Sequence, residues 1–107
     1  MTRPVLRPRA EADLIERAHH YRDEGGSDLS GRFFDAAITA LDAIGRMPGA
    51  GSSRAGELCG IDGLRVRRIP NFPCGWFYFA SQDRVDVVRL LADAQDMTTV
   101  LADIEQE

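Results

Sequence analysis

At 107 residues, with 44% apolar and 28% charged residues, 10 Gly and 5 Pro, the chain has the composition of one globular domain, residues 1–107, and no room for two. Its formal charge is −4, and all 13 basic residues are Arg, Lys being absent. That excludes a Schiff base, a lysine general base and a P-loop lysine, and it argues against a protein that coats nucleic acid through overall positive charge.

In chain order, residues 3–7 contain Pro4 and read as an edge strand or an extended arm. Pro8 suits the first turn of a helix, Glu11 and Asp13 favour its positive end, and Leu14, Ile15, Ala18 and Tyr21 recur three or four apart. Gly25 and Gly26 stop it. Ser27 can cap a second helix whose Leu29, Phe33, Phe34, Ala37, Ile38, Leu41 and Ile44 form an apolar stripe, ended by Pro48 and Gly49. So short a link predicts an antiparallel helix hairpin. Residues 48–63 are rich in Gly and Ser without a sustained period and read as a long surface loop.

The period then becomes two. Leu64 to Ile69 predicts a strand with Leu64 and Val66 on one face and Arg65 and Arg67 on the other; Arg68 falls on the apolar side, so the strand bulges or ends there. Trp76 to Ala80 is apolar on both faces, as a covered central strand would be. Val85 to Leu91 predicts a third strand, with Val85, Val87 and Leu91 on one face, Asp86, Val88 and Leu90 on the other, and Arg89 in register with Val85 and Val87. Thr98 to Ile104 predicts a short closing helix. The fold class is α+β: an N-terminal edge strand, an antiparallel helix hairpin packed on a three- to four-stranded antiparallel sheet, and a short C-terminal helix.

Charge is unevenly distributed. Residues 54–89 carry six Arg against four acids, and the stretch after Arg89 has five acids and no base. Cys59 and Cys74, the two thiols, lack zinc-ligand spacing and read as reduced cysteines, and no metal or cofactor is expected. The N-terminus lacks the apolar core of a signal peptide, and no segment approaches the ~18 continuous apolar residues of a membrane span. A cytoplasmic location is expected.

The element order, together with Pro8-Arg9-Ala10-Glu11-Ala12-Asp13-Leu14, Gly31-Arg32-Phe33, the Met47-Pro48 to Gly51 exit, Gly63-Leu64-Arg65, the Trp76-Phe77-Tyr78 strand and Val87-Val88-Arg89-Leu90-Leu91 with Asp96, resembles the RelE/ParE superfamily of toxin–antitoxin toxins, and within it the ParE branch. The resemblance spans nearly the whole chain. It implies a protein that arrests growth when its antitoxin is degraded, acting on DNA gyrase as ParE-like members do or cutting mRNA on the ribosome as RelE-like members do.

The residues bear on that choice. Cutting RNA through its 2′-hydroxyl needs a base, cations for the extra phosphate charge, and an acid for the leaving oxygen. RNA-cutting relatives are similar to one another in meeting this with Lys and Arg plus an aromatic residue. Here Lys is missing, and Ala92 and Gln95 stand where many relatives place His and Arg. His19 and His20 read as solvated helix-surface imidazoles. The resemblance therefore points to a ParE-like gyrase inhibitor without catalytic residues, neutralised by a cognate, ParD-like antitoxin, with Arg65, Arg67, Arg68, Trp76, Arg89 and Asp96 as partner-binding residues. The alternatives are a ribosome-dependent endoribonuclease using Arg65, Arg68, Tyr78 and Arg89, or an inactive antitoxin-binding relative. Each residue also has a plain structural reading: Arg65 and Arg67 as a solvent face, Arg89 snorkelling or pairing with Asp93 or Asp96, and Trp76 as core. The acidic tail is either a gyrase-facing element or a solvated final helix. No membrane and no sequence-specific nucleic acid is expected as a partner.

Overall fold

The structure, a computed structural model, describes residues 2–95 together with Val100 and Ile104. The chain opens with strand β1 (Pro4–Leu6) and passes through Arg7 into helix α1 (Pro8–Arg46), where Pro8 occupies the first turn and so loses no helical hydrogen bond. Helical structure is interrupted once inside α1, at Gly26, with φ 76° and ψ −170°. Only glycine reaches that backbone region without strain. The Ser30 hydroxyl donates to the Ala18 carbonyl at 2.9 Å, and the Tyr21 and Phe33 ring centroids are 4.9 Å apart. Twelve residues of unbroken helix would span about 18 Å, so the chain bends sharply at Gly26. The expected hairpin of two separate helices is thus one helical run with a single non-helical residue at its bend.

The stretch expected as a long loop carries more structure than its composition suggests. A 3₁₀ turn (Pro48–Ala50) leads to a bridge between Ser52 and Val66, then to the short helix α2 (Arg54–Cys59), which Gly60 ends in the left-handed conformation. Six residues are too few to display a helical period, and α2 is held by tertiary contact: Ala55 and Cys59 pack against the apolar cluster beneath it.

Strands β2 (Leu64–Arg68), β3 (Cys74–Ala80) and β4 (Val85–Ala92) follow, and the sheet order is β1-β4-β3-β2. β2, β3 and β4 are antiparallel neighbours, whereas β1 pairs with β4 in parallel, so the sheet is mixed, not wholly antiparallel as expected. Pro4 lacks a backbone N–H and is tolerated because β1 is an edge. As expected, β3 is central; cover on at least one side was expected, and both sides are covered. Trp76, Tyr78, Cys74, Val85, Val87 and Leu90 pack with Ala10, Leu14, Phe33 and Ile44 of α1, while Leu64, Phe77, Val88 and Leu91 form the second cluster with Ile104, flanked by Val100.

One correction concerns β4. Phe77 pairs with Arg89 but Tyr78 pairs with Val87, which leaves Val88 as an extra residue in a bulge. A bulge resets the alternation by one position. Leu90 therefore joins Val85 and Val87 on the α1 side, and Leu91 joins Val88 on the other. The expected closing helix over residues 98–104 lies outside the described residues except for Val100 and Ile104, and Asp96 lies outside them altogether.

Candidate functional site

Cross-strand pairing places the β2 arginines. Arg65 lies opposite Tyr78 and Arg67 opposite Trp76, so both share the α1 side of the sheet, and strand alternation puts Arg68 on the other side with Leu64 and Val66. Arg65 and Arg67 are half-buried at the sheet margin and are not the solvated row expected of alternating Arg. The Arg65 Nη1 donates to the Gly51 carbonyl at 2.8 Å. Arg67 makes no hydrogen bond or ion pair among the described residues.

Tyr78 is fully buried beside them, and its hydroxyl donates to the Pro48 carbonyl at 2.6 Å. Burial pushes the phenol pKa up, opposed by a backbone hydrogen bond from Gly51 and by the Arg65 and Arg67 charges. At neutral pH it is a committed donor with no role left as base. Gly51 permits this arrangement, because a side chain there would collide with the Tyr78 hydroxyl. Trp76, expected as a partner anchor, is 0% exposed and donates its indole N–H to the Ala37 carbonyl at 3.0 Å. It fastens β3 to α1 and presents no surface.

Arg89 has a described partner on α1, and the expected pairing with Asp96 lies outside the described residues. Its Nε and Nη2 donate to the two carboxylate oxygens of Asp13, at 2.7 and 3.0 Å, and Asp13 also accepts the Leu90 backbone N–H at 3.0 Å. Both side chains are nearly buried, at 7% and 13% exposure. Asp93 belongs to Arg68, in a two-pronged pair at 2.7 Å for each bond. That pair is exposed, so it contributes only about 0–1 kcal/mol, although its hydrogen bond holds the Asp93 carboxyl below the usual carboxylate range. Any stability it confers is present above the unfolded carboxyl pKa and fades as pH falls through the lowered one.

Arg7 is the residue that sequence reasoning missed. Its Nε and Nη2 grip Asp86 at 3.2 and 2.9 Å, and Nη1 donates to the Ile104 carbonyl at 2.9 Å, tying β1, β4 and the C-terminal segment together. A lone Arg after a short strand carries no periodic signal of such a role. His19 and His20 are exposed, as expected, and His20 Nε2 lies 3.3 Å from Glu24 one turn on.

Both cysteines are free. Cys74 is buried, and burial pushes its thiol up to about 11 from an ordinary 9.0. A thiol reagent at pH 8 is expected to label Cys59 first and Cys74 only on unfolding, as mass spectrometry of the modified peptides will show. Because the folded thiol holds its proton more tightly, this contribution to stability is complete below pH 9 and is lost as pH rises towards 11.

The arrangement therefore splits the four candidate catalytic residues. Arg65 and Tyr78 are neighbours, Arg68 is on the opposite side of the sheet, and Arg89 is clamped to a carboxylate from α1. No group of three or more metal-ligating side chains occurs among the described residues, and no described helix is long and apolar enough to cross a membrane.

A short parallel edge strand, a bent helix across one face of a four-stranded sheet and arginines held in internal pairs define a small α+β domain with a mixed sheet. The same fold appears in a structure of the chromosomal ParDE TA system from P. aeruginosa, with a TM-score of 0.73 and 16% identity, covering 86% of this chain and 96% of that one. The profile of the ParE toxin of the type II toxin–antitoxin system, parDE, matches residues 5–97, and the chain belongs to that family. No curated protein matches it.

Proposed function

We propose that this type II toxin arrests growth by acting on DNA gyrase, stabilising the cleaved-DNA complex without cutting nucleic acid itself, in the cytoplasm where gyrase works, and that a cognate ParD-like antitoxin neutralises it. The observation that carries the reading is the state of the residues an RNA-cutting mechanism would need. The Tyr78 phenol is buried and committed to Pro48, while Arg68 and Arg89 are each engaged by a carboxylate. The sequence holds no histidine after His20 to supply a base from the sheet.

The antitoxin reading draws support from the surface of α1. Phe34 and Ile38, four residues apart, are 45% and 36% exposed, which suits the apolar face of a partner helix.

Regulated expression in bacteria tests the proposal directly. The expected result is growth arrest with double-strand breaks, accumulated gyrase–DNA cleavage complexes and intact mRNA. Arrest with cleaved mRNA and unbroken DNA establishes the ribosome-dependent nuclease instead, and absence of arrest establishes an inactive relative. Alanine variants of Arg89 and Tyr78 do not separate these outcomes, because both side chains hold the fold together.

A further inference from the structure

The arginines on and beside the sheet differ in their partners, while Arg17 on α1 is half-buried without a described carboxylate. Arg7, Arg68 and Arg89 each engage a carboxylate in two hydrogen bonds, with Asp86, Asp93 and Asp13 respectively. Arg65 and Arg67 have no carboxylate among the described residues, although both are half-buried. Partly desolvating two guanidiniums without a counter-charge opposes folding, and two such groups on one face of one strand make a place that favours an anion.

The geometry points to a docking site for consecutive backbone phosphates of DNA, formed by Arg65 and Arg67 at the margin of β2. Residues two apart on a strand stand about 6.6–6.8 Å from each other on the same side, and a guanidinium grips a phosphodiester in a two-pronged manner. Arg65 is preset for this role, since its Nη1 is held by the Gly51 carbonyl and the rest of the fork is not bonded to protein. Arg67 is unengaged. The neutral Tyr78 hydroxyl beside them turns to Pro48 and brings no negative charge to the patch.

An acidic peptide is the competing class of anion, and the sheet disfavours it. An extended peptide would register its side chains by adding to the β2 edge, but Ser52 already exchanges both backbone hydrogen bonds with Val66, at 3.0 and 2.9 Å, and closes the middle of that edge. Duplex DNA needs no free strand edge. Contacts to phosphate alone read no bases, so the site is blind to sequence, in keeping with an acidic protein of net charge −4 that would not coat DNA. The inference rests on the gyrase reading for the source of the DNA, namely the segment gyrase holds open, but binding itself is measured without gyrase.

The test is fluorescence anisotropy of a labelled duplex of about 20 base pairs of mixed sequence, titrated with purified toxin between about 50 and 300 mM salt. Arg67→Gln is expected to weaken binding roughly eightfold at 0.1 M salt and to reduce the salt slope by about one, the loss of one phosphate contact. Arg65→Gln should act alike, and Arg9→Gln, an exposed residue on α1, should change nothing. Circular dichroism verifies that Arg67→Gln, which removes no internal bond, keeps the fold. The proposal is overturned if wild-type toxin fails to bind the duplex at the lowest salt, if Arg67→Gln binds as wild type does, if Arg9→Gln loses as much, or if a poly-glutamate peptide binds in a manner dependent on Arg67 while the duplex does not. A parallel assay of gyrase cleavage complexes separates the two readings. DNA binding without gyrase poisoning upholds the phosphate site and removes gyrase as its setting, whereas poisoning that is unchanged in Arg67→Gln, with no duplex binding, removes the phosphate site and leaves the gyrase reading standing.

Discussion

Asp13→Ala is expected to destabilise the protein by about 3–5 kcal/mol, the usual loss when one partner of a buried ion pair is removed. The carboxylate receives two hydrogen bonds from Arg89 and one from the Leu90 backbone, and the Arg89 side chain is only 7% exposed. Deleting it takes away a negative charge beside a desolvated guanidinium and leaves the Leu90 N–H without its acceptor. Asp13 also joins the first turns of α1 to β4 across 76 residues of sequence, so its loss loosens the helix from the sheet. Since a domain of this size has a total stability of about 5–15 kcal/mol, such a variant would be marginal. Urea denaturation measures the shift, and a double variant, Asp13→Leu with Arg89→Met, should recover a large part of it, because an apolar pair needs no counter-charge. A midpoint for Asp13→Ala within about 1 kcal/mol of wild type would show that the pair is not structural.

Trp76→Ala should cost a similar amount, about 3–5 kcal/mol. Trp76 heads the fully buried side chains by size, and truncation both opens a cavity between β3 and α1 and strips the Ala37 carbonyl of its indole donor. Trp76→Phe should keep most of the apolar contact and lose mainly the hydrogen bond, about 0.5–1.5 kcal/mol. The comparison decides between core and partner anchor. For a core residue, melting temperature and toxicity fall together across the two variants; for an anchor, Trp76→Phe would weaken partner binding while the melting temperature held.

These two residues also show where sequence reading stops. Trp76 lies in a strand whose every residue is apolar, and such a run gives no indication of which aromatic residue is covered by what. Burial on both faces was legible, but the indole's specific acceptor on α1 was not. Arg89 was assigned to the Val85 and Val87 face by strict alternation. The bulge at Val88 breaks that alternation, and a bulge of one residue leaves no trace in a period of two. Aspartates near in sequence, Asp93 and Asp96, were the natural partners for Arg89; Asp96 lies outside the described residues, and the described pair reaches back to Asp13 of α1. Arg68, expected where β2 bulges or ends, is the last residue of that strand and takes Asp93 instead.

Legibility was greatest where the determinant is local. Pro8 at a helix start, glycine at the bend, the two-residue period of β2 and the doubly apolar β3 all depend on neighbours within a few positions, and all appear at the expected places. The helix α2 and the 3₁₀ turn before it were hidden, because short elements are stabilised by what they cover more than by their own propensity.

By itself, the amino-acid sequence determined the order of the long helical run and the strands, the central place of the aromatic strand, the absence of lysine chemistry and the kinship carried by residues from Pro8 to Asp96. Only the tertiary structure decided that β1 enters in parallel, that three arginines engage Asp86, Asp93 and Asp13, and that Arg65 and Arg67 stand half-buried on one face of β2 without a carboxylate among the described residues. The reason is physical: hydrophobic period is a property of adjacent residues, whereas the partner of a charge is chosen in space among groups tens of residues away, after the backbone has closed.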